Sequence, residues 1–253
     1  MRLNGKNIIV YGAAGAIGSA VARAFGREGA HVFLTGRRLD ALDAVAKEIP
    51  SASTAVVDAL DPAQVAAHAA QVGRIDVSFN AIGIPQEGIQ GVPMVDLPLE
   101  GFQAAVHAYL TAHFVTARTV ARHMGSGGAI LTVTATPGHK PVPHVGGMAP
   151  AWAGMEAISR TLAAELGPAG IRVACLRAEG IPETATIDTV FGLHAEAIGR
   201  TRAEFTSLIT ESSLLKRLPT LADVAQAAVF LASDEAAALT GTVLNISAGS
   251  ATD

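Results

Sequence analysis

The chain has 253 residues; 50% are hydrophobic, 16% are charged, and the formal net charge is −4. That composition is too apolar for a disordered chain and suffices for one large buried core, so a single domain over residues 1–253 is expected. A small negative charge without basic runs argues against nucleic acid or an anionic membrane surface as a partner. No apolar stretch reaches the roughly 18 residues of a membrane span and no signal-peptide pattern opens the chain, so we expect a cytoplasmic protein. The single cysteine, Cys175, excludes an internal disulfide and a thiolate-rich metal site, and no bound metal is expected.

Short, nearly continuous apolar runs alternate with longer alanine-rich segments along the chain, and such runs are typical of strands covered on both faces. The predicted strands are 7–11, 31–35, 54–57, 75–80, 129–134, 171–176 and 242–246. The predicted helices are 16–28, 39–48, 62–72, 99–124, 148–166 and 221–233. This alternation predicts an α/β fold: one doubly wound, Rossmann-type domain with a seven-stranded parallel sheet flanked by helices.

Two long segments interrupt the alternation, 83–98 after the fourth predicted strand and 179–218 after the sixth. Both leave the carboxyl ends of strands, where ligands bind in open α/β sheets. Connections of this length are usually lids or binding elements. Because residues 195–208 have helical content, we predict a mobile substrate lid at about 180–218, with a disordered loop as the alternative.

A glycine-rich turn, from Gly12 to Gly18, joins the first predicted strand to the first predicted helix. Glycines let backbone N–H groups approach a pyrophosphate, and the helix N-terminus adds favourable partial charge. The turn therefore predicts a dinucleotide site; tight packing is the alternative reason for these glycines.

The order of motifs resembles the short-chain dehydrogenase/reductase family over essentially the whole chain. The family's Thr-Gly-x-x-x-Gly-x-Gly turn corresponds here to Tyr11, Gly12, Ala16 and Gly18, with Gly15 displaced by one position. Segments 159–173 and 222–245 are similar to the family's central helix with its following strand and to its C-terminal consensus.

The resemblance implies a nicotinamide dinucleotide cofactor. Asp58 is similar to the family's adenine-contacting acid, and Asn80-Ala81-Ile82-Gly83 is similar to its Asn-Asn-Ala-Gly element. The positions that the resemblance assigns to cofactor binding are Gly12, Ala14, Gly15, Ile17, Gly18, Arg37, Arg38, Asp58, Ala59, Asn80, Ala81, Gly83, Ile181 and Thr184.

The end of the second predicted strand distinguishes the two forms of that cofactor. An NAD-preferring enzyme typically has an acid there for the ribose 2′-hydroxyl, whereas this chain has Gly36 followed by Arg37 and Arg38. A guanidinium matches a phosphate in geometry and charge. We therefore predict NADP(H) rather than NAD(H), the alternative being a solvated arginine pair.

The family's catalytic Asn, Ser, Tyr and Lys are replaced in this divergent chain. Because the flanks align without gaps, the four positions fall on Tyr109, Ala135, Met148 and Trp152. The only tyrosines are Tyr11 and Tyr109, so no Tyr-x-x-x-Lys motif exists elsewhere. Loss of general acid catalysis removes roughly 10²- to 10⁴-fold in rate, which predicts an atypical active site.

Candidate substitutes are few. Tyr109 has a phenol on the helix that carries the family's Asn, and His144, with His139 and Lys140, lies in a loop that borders the substrate in the family. Each has an ordinary alternative role, as a solvated loop residue or a space-filling ring, and the role of Glu179 is open. Trp152 gives the site an apolar floor, which favours an apolar or aromatic substrate.

The leading hypothesis is an NADP(H)-dependent oxidoreductase acting on a carbonyl or alcohol through a non-standard proton relay. A catalytically silent dinucleotide-binding protein and a non-redox lyase or isomerase are the alternatives. The resemblance also implies a homotetramer or homodimer built from the two helices that carry the following small residues: Ala112, Ala117, Ala121, Ala149, Ala153, Gly154 and Ala157.

Overall fold

A computed structural model describes residues 1–252. Within them, seven strands form one parallel sheet in the order β3-β2-β1-β4-β5-β6-β7. The strands are β1 Asn7–Tyr11, β2 His31–Gly36, β3 Ala52–Val56, β4 Val77–Asn80, β5 Ala129–Ala135, β6 Arg172–Ala178 and β7 Thr242–Ile246. The α-helices are α1 Ala16–Arg27, α2 Leu39–Ala46, α3 Pro62–Val72, α4 Leu99–Val120, α5 Met148–Leu166, α6 Ala185–Ala197, α7 Arg202–Ser212 and α8 Leu221–Ala232. The predicted doubly wound α/β fold is confirmed.

Two layers of helices cover the sheet. On one face, side chains of α1, α2 and α8 such as Phe25, Leu42 and Val229 join the apolar side chains of the strands in one core cluster. On the other face, α3, α4 and α5 contribute a second cluster that includes Val65 and Val115. Because both faces are covered, the strands carry nearly continuous apolar runs rather than alternating ones.

Several predicted bounds differ from the structure by one to four residues; for example, β3 is Ala52–Val56 rather than 54–57, and α4 ends at Val120 rather than 124. The segment between β6 and α8, for which helical content was predicted at 195–208, contains the two helices α6 and α7. Strand β6 extends to Ala178 because it pairs with β5 as far as Ala135. None of the described helices is both long and apolar enough to span a membrane.

The strand order places a crevice between β1 and β4. From β1 the chain runs outward through β2 and β3, and it then returns to β4 on the other side of β1. In doubly wound sheets ligands bind at this reversal, beyond the carboxyl ends of the strands. The turns after β1 and β4 therefore face each other across the expected binding site.

Candidate active site

A cavity of about 950 Å³ lies at the carboxyl ends of the strands. Its walls come from the turn after β1, the ends of β2, β4, β5 and β6, and the helices α6 and α7. Glycine-rich backbone and two arginines line one end of it, and aromatic and aliphatic side chains line the other. A single cavity with such walls can hold an elongated ligand that has a charged half and an apolar half.

The turn after β1 leaves no room for a side chain at Gly12 or Gly18. Gly12 has φ +73°, and a Cβ there would lie 2.6 Å from the Ala81 carbonyl oxygen. A Cβ on Gly18 would collide with the Gly12 carbonyl oxygen. Helix α1 begins at Ala16 without a side-chain cap or an acid in its first turn, so its first N–H groups lack side-chain partners. These features fit a pyrophosphate, which such N–H groups bind well.

Three charged side chains lie at the adjoining end of the cavity. One carboxylate oxygen of Asp58 accepts from the Leu60 N–H at 3.0 Å, which fixes the side chain. Arg37 and Arg38 are exposed at the cavity edge and form no ion pair with any residue in 1–252. Their guanidinium groups are therefore free to bind an anion.

Most positions that the resemblance assigned to the cofactor converge on this cavity. Those that line it are Gly12, Ala14, Gly15, Ile17, Arg37, Arg38, Asp58, Ala59, Ala81, Gly83, Ile181 and Thr184. Two do not line it. Gly18 is buried below the turn, and Asn80 is buried at the end of β4, where its Oδ1 accepts from the Ile82 N–H at 3.0 Å. Asn80 thus shapes the turn that carries Ala81 and Gly83.

The four positions aligned with the family's catalytic groups also meet in the cavity. Tyr109 and Trp152 pack edge to face, with ring centroids 6.1 Å apart, and Met148 is buried in the same cluster. Ala135 is the last residue of β5 and also lines the cavity. Burial raises the pKa of Tyr109 to about 12, although hydrogen bonds from the Ile84 backbone and the Gln86 side chain act in the opposite direction. The phenol is therefore neutral at physiological pH.

The histidines proposed as substitutes lie apart from this cluster. His144, at φ +62°, lines a separate pocket of about 340 Å³ beside Met94 and Val95. His139 is exposed, and its Nε2 faces the Thr252 carbonyl oxygen at 3.3 Å. Among the predicted substitutes, Tyr109 and Lys140 line the main cavity.

Lys140 is held in an ion pair at the cavity wall. Its Nζ donates to Glu179 at 2.8 Å and to the Ser250 carbonyl oxygen at 3.0 Å. Glu179 also accepts from Thr136 and from the Ser250 hydroxyl. Burial alone would raise the pKa of Glu179, but the hydrogen bonds from Lys140 and Ser250 outweigh it and lower this pKa below its ordinary value. The pair ties the segment after β7 to the ends of β5 and β6.

The polar residues of the cavity that the sequence prediction missed include a connected group of three. Gln86 and Gln90 lie in the segment after β4, and His194 lies on α6. His194 Nε2 is 3.0 Å from Gln90 Oε1, and Gln90 Nε2 donates to Gln86 Oε1 at 2.6 Å. The sequence indicated only that the two segments carrying these residues, 83–98 and 179–218, follow the carboxyl ends of strands.

The outer part of the cavity is apolar. Helices α6 and α7 contribute Phe191, Phe205 and Ile209, and the rings of the two phenylalanines pack at 5.3 Å between centroids. Within residues 1–252 no group of three or more His, Cys, Asp or Glu side chains is arranged to hold a metal ion. Apolar contact is the main interaction that this outer part of the cavity offers to a ligand.

Comparison with known proteins identifies the family. Residues 12–251 match the family model described as Enoyl-(Acyl carrier protein) reductase. Nodulation protein G of Rhizobium meliloti is 30% identical over 260 residues, covering 98% of each protein. D-threitol dehydrogenase of Mycolicibacterium smegmatis is 30% identical over 264 residues, covering 98% of this chain and 94% of that protein. The crystal structure of NAD+-bound xylitol dehydrogenase has the same fold, with a TM-score of 0.91 at 22% identity, covering 98% of this chain and 100% of that one.

The chain belongs to the short-chain dehydrogenase/reductase family of oxidoreductases.

Proposed function

We propose that the protein is an NADP(H)-dependent oxidoreductase that acts on a neutral, apolar or aromatic carbonyl or alcohol compound through a non-standard proton relay. The observation that carries this proposal is the single cavity that joins the glycine turn and Arg37–Arg38 to the cluster of Tyr109, Met148 and Trp152. A dinucleotide that spans the first part would bring its nicotinamide to the second.

The residues present fit that cofactor. The N–H groups at the start of α1 suit the pyrophosphate, Asp58 suits the adenine, and the unpaired Arg37 and Arg38 suit a ribose 2′-phosphate. When bound, NADPH supplies a hydride to the carbonyl carbon of the substrate. The chain must then orient the carbonyl oxygen and stabilise the negative charge that develops on it.

Tyr109 is the proposed donor to that oxygen. With a pKa of about 12 its phenol stays protonated, so it donates a hydrogen bond without exchanging its proton readily. A proton from water then completes the alcohol product, and the hydroxide released equilibrates with solvent. Such an arrangement resembles an oxyanion-stabilising donor rather than the acid–base relay of the family.

The substrate class follows from the walls around this donor. Trp152, Met148, Phe191 and Phe205 give apolar surface, and the lysine that lines this part, Lys140, is already paired with Glu179. A carboxylate or phosphate on the substrate would lose its hydration without gaining a free cation. A neutral apolar or aromatic compound with one carbonyl oxygen fits best.

The alternative is a catalytically silent dinucleotide-binding protein. Met148 and Trp152 favour it, because neither side chain can exchange a proton at the two positions that align with the family's Tyr and Lys. Under this alternative the same cavity binds the cofactor and the protein turns over no carbonyl compound.

Fluorescence and turnover together test the proposal. Reduced nicotinamide absorbs where tryptophan emits, and Trp152 is the only tryptophan, so NADPH should quench its emission saturably and more strongly than NADH. NADPH oxidation should follow addition of aromatic or apolar ketones or aldehydes from a panel. Tyr109→Phe should lower this turnover about 10²- to 10³-fold while leaving NADPH binding unchanged. Quenching without turnover on any panel member supports the silent protein, and absence of nucleotide binding by fluorescence and calorimetry refutes both.

A further inference from the structure

We infer that Gln86, Gln90 and His194 form a substrate subsite that recognises a hydroxyl group, with His194 Nδ1 as the hydrogen-bond acceptor. The inference rests on the proposed function and narrows its substrate class to a neutral, apolar or aromatic carbonyl compound that also carries a hydroxyl group. The part of the cavity wall formed by α6 and the segment after β4 selects for that second polar group.

A row of three hydrogen-bonded polar side chains interrupts the apolar wall of the cavity. Exposure is 4% for Gln86, 4% for Gln90 and 5% for His194, and all three line the cavity. His194 Nε2 is 3.0 Å from Gln90 Oε1, and Gln90 Nε2 donates to Gln86 Oε1 at 2.6 Å. Gln86 Nε2 donates in turn to the Ile84 carbonyl oxygen. Because little solvent reaches these groups, they must bond to one another or to a ligand.

The Ile84 carbonyl oxygen fixes the direction of every hydrogen bond in the row. A carbonyl can only accept, so Gln86 presents Nε2 to it and Oε1 to Gln90. Gln90 then donates to Gln86 and presents its own Oε1 to His194, which makes His194 Nε2 the donor. The row therefore requires a proton on Nε2 of His194.

The other ring nitrogen of His194, Nδ1, is thereby left as an acceptor. Gln90 is the hydrogen-bond partner of this histidine within residues 1–252, and burial lowers its pKa to about 4, so the ring is neutral and Nδ1 carries no proton. Protein atoms do not enclose this Nδ1, whereas they do enclose Nδ1 of His68 and of His144. Since His194 lines the cavity, its Nδ1 is open to a donor on a ligand there.

The surroundings of Nδ1 favour a neutral hydroxyl as that donor. The His194 ring packs against Phe205 with centroids 5.6 Å apart, and Phe205 packs against Phe191, so an aromatic or alkyl body fits beside it. An ammonium group would lose its hydration without gaining a free carboxylate, because Glu179 is already paired with Lys140. An ether oxygen in the same place would bring a second acceptor against Nδ1 and leave both without a donor.

Calorimetry with matched ketones tests the subsite. The probes are para-hydroxyacetophenone and a longer hydroxybiphenyl methyl ketone, each compared with its methoxy counterpart, with and without NADPH. We expect at least one hydroxylated ketone to bind about tenfold more tightly than its methoxy counterpart, which has no donor for Nδ1.

Three variants assign the difference to His194. His194→Phe keeps a ring but removes the acceptor, so each hydroxylated and methoxy pair should bind within about twofold of one another. His194→Gln retains both a donor for Gln90 and an acceptor for the ligand, and it should keep part of the preference. His107→Phe is the matched control and should keep all of it, since His107 is an exposed histidine on α4 outside the cavity.

Nuclear magnetic resonance of ¹⁵N-labelled histidine reports the protonation of each ring nitrogen, and His194→Phe assigns the signals. We expect the Nε2–H tautomer in the wild type, a shift of the Nδ1 signal when the preferred hydroxylated ketone binds, and a mixture of tautomers in Gln90→Met, which removes the acceptor of Nε2.

Equal affinity within every hydroxylated and methoxy pair, or an Nδ1–H tautomer in the wild type, overturns the inference. If the preference exists and disappears in His194→Phe while no ketone oxidises NADPH, the subsite stands and the proposed oxidoreductase function fails. If ketones are reduced while each pair binds equally, the proposed function stands and the subsite is refuted.

Discussion

At the residue scale, Arg37 and Arg38 carry the proposed preference for NADP(H) over NAD(H). Both line the cavity beside Gly36, and neither forms an ion pair with a residue in 1–252. A 2′-phosphate would supply that partner, whereas a ribose hydroxyl would not. Charge-assisted hydrogen bonds of this kind contribute about 1.5–3 kcal/mol each.

Removing one guanidinium should therefore weaken binding of NADPH much more than binding of NADH. We expect Arg37→Ala to raise the Kd for NADPH roughly 10- to 150-fold and to leave that for NADH within about twofold, because the neutral hydroxyl loses no charged partner. Quenching of Trp152 emission and calorimetry measure both constants. Arg27→Ala, an exposed arginine at the end of α1, controls for net charge. Equal losses for both nucleotides would place the arginines outside the 2′-phosphate site.

The sequence was enough to predict which residues meet at the centre of the candidate site, because these residues lie at fixed positions on strands and helices. Ala135 ends β5 and Met148 begins α5, so an uninterrupted alignment was enough to bring them together. The chain through Gln86, Gln90 and His194 could not be predicted in this way. His194 and Gln90 are 104 positions apart, and no local pattern records which glutamine faces which histidine.

At the level of elements, periodicity predicted the sheet well and the segment after β6 poorly. Helix α7 begins with a capping box in which Thr201 and Glu204 bond to each other's backbone N–H groups. That Thr-x-x-Glu spacing is a recognisable start signal, so α7 was accessible to sequence reasoning. Helix α6 begins at the Thr184 cap, two residues after a proline, and the sequence prediction treated this stretch as loop. Packing of Phe191 on Phe205 across the two helices is a tertiary effect that periodicity does not register.

The turn between β1 and α1 gives a prediction at this scale. Gly18→Ala places a methyl group against the Gly12 carbonyl oxygen, and the backbone there has no flexible side chain that could yield. We expect a stability loss of about 1–3 kcal/mol and at least about tenfold weaker NADPH binding, because the turn must open. Thermal melting and Trp152 quenching report the two effects. At Gly167 an added Cβ meets nothing within 4 Å, so Gly167→Ala should change neither.

For the whole molecule, buried histidines make stability depend on pH. Burial lowers the pKa of His113 to about 4, and its Nε2 is 2.9 Å from the Ser159 hydroxyl between α4 and α5. Between its ordinary pKa of about 6.5 and about 4, the unfolded chain binds a proton that the folded chain does not. The stability associated with this group is therefore complete above pH 6.5 and is lost as pH falls toward 4.

Urea unfolding across pH 7 to 4 tests this dependence. The loss expected from His113 alone is about 3 kcal/mol, and His194 adds to it because burial lowers its pKa in the same direction. His113→Gln should flatten part of the slope, whereas His107→Gln, at an exposed site on the same helix, should retain it. A free energy of unfolding that stays constant from pH 6.5 to 4 would mean that His113 is not buried as a neutral ring.

The proposed assembly depends on the outer surfaces of α4 and α5, and the structure narrows which residues can take part. Ala112 and Ala117 are buried in the core of the subunit, and a Cβ on Gly154 would lie 2.7 Å from Leu110 Cδ2 of the same chain, so these small residues serve packing within the subunit. An exposed apolar side chain on α4 is Phe114, which is 48% exposed with the Arg118 guanidinium 5.3 Å from its ring centroid. Ala157 on α5 is also exposed.

We therefore predict that Phe114 contributes to a homotetramer or homodimer through this face. Light scattering at micromolar concentration should give an oligomeric mass for the wild type and a lower mass for Phe114→Glu, because a buried carboxylate without a partner opposes association. Leu208→Glu is the matched control: Leu208 is 49% exposed on α7, so the same change introduces an equal charge at an equally exposed apolar position on another helix. A wild-type monomer contradicts the assembly, and an equal loss of mass in both variants places the interface elsewhere. If only Phe114→Glu dissociates and it still binds NADPH, the interface and the cofactor site are separate, as expected if the cavity is completed within one subunit.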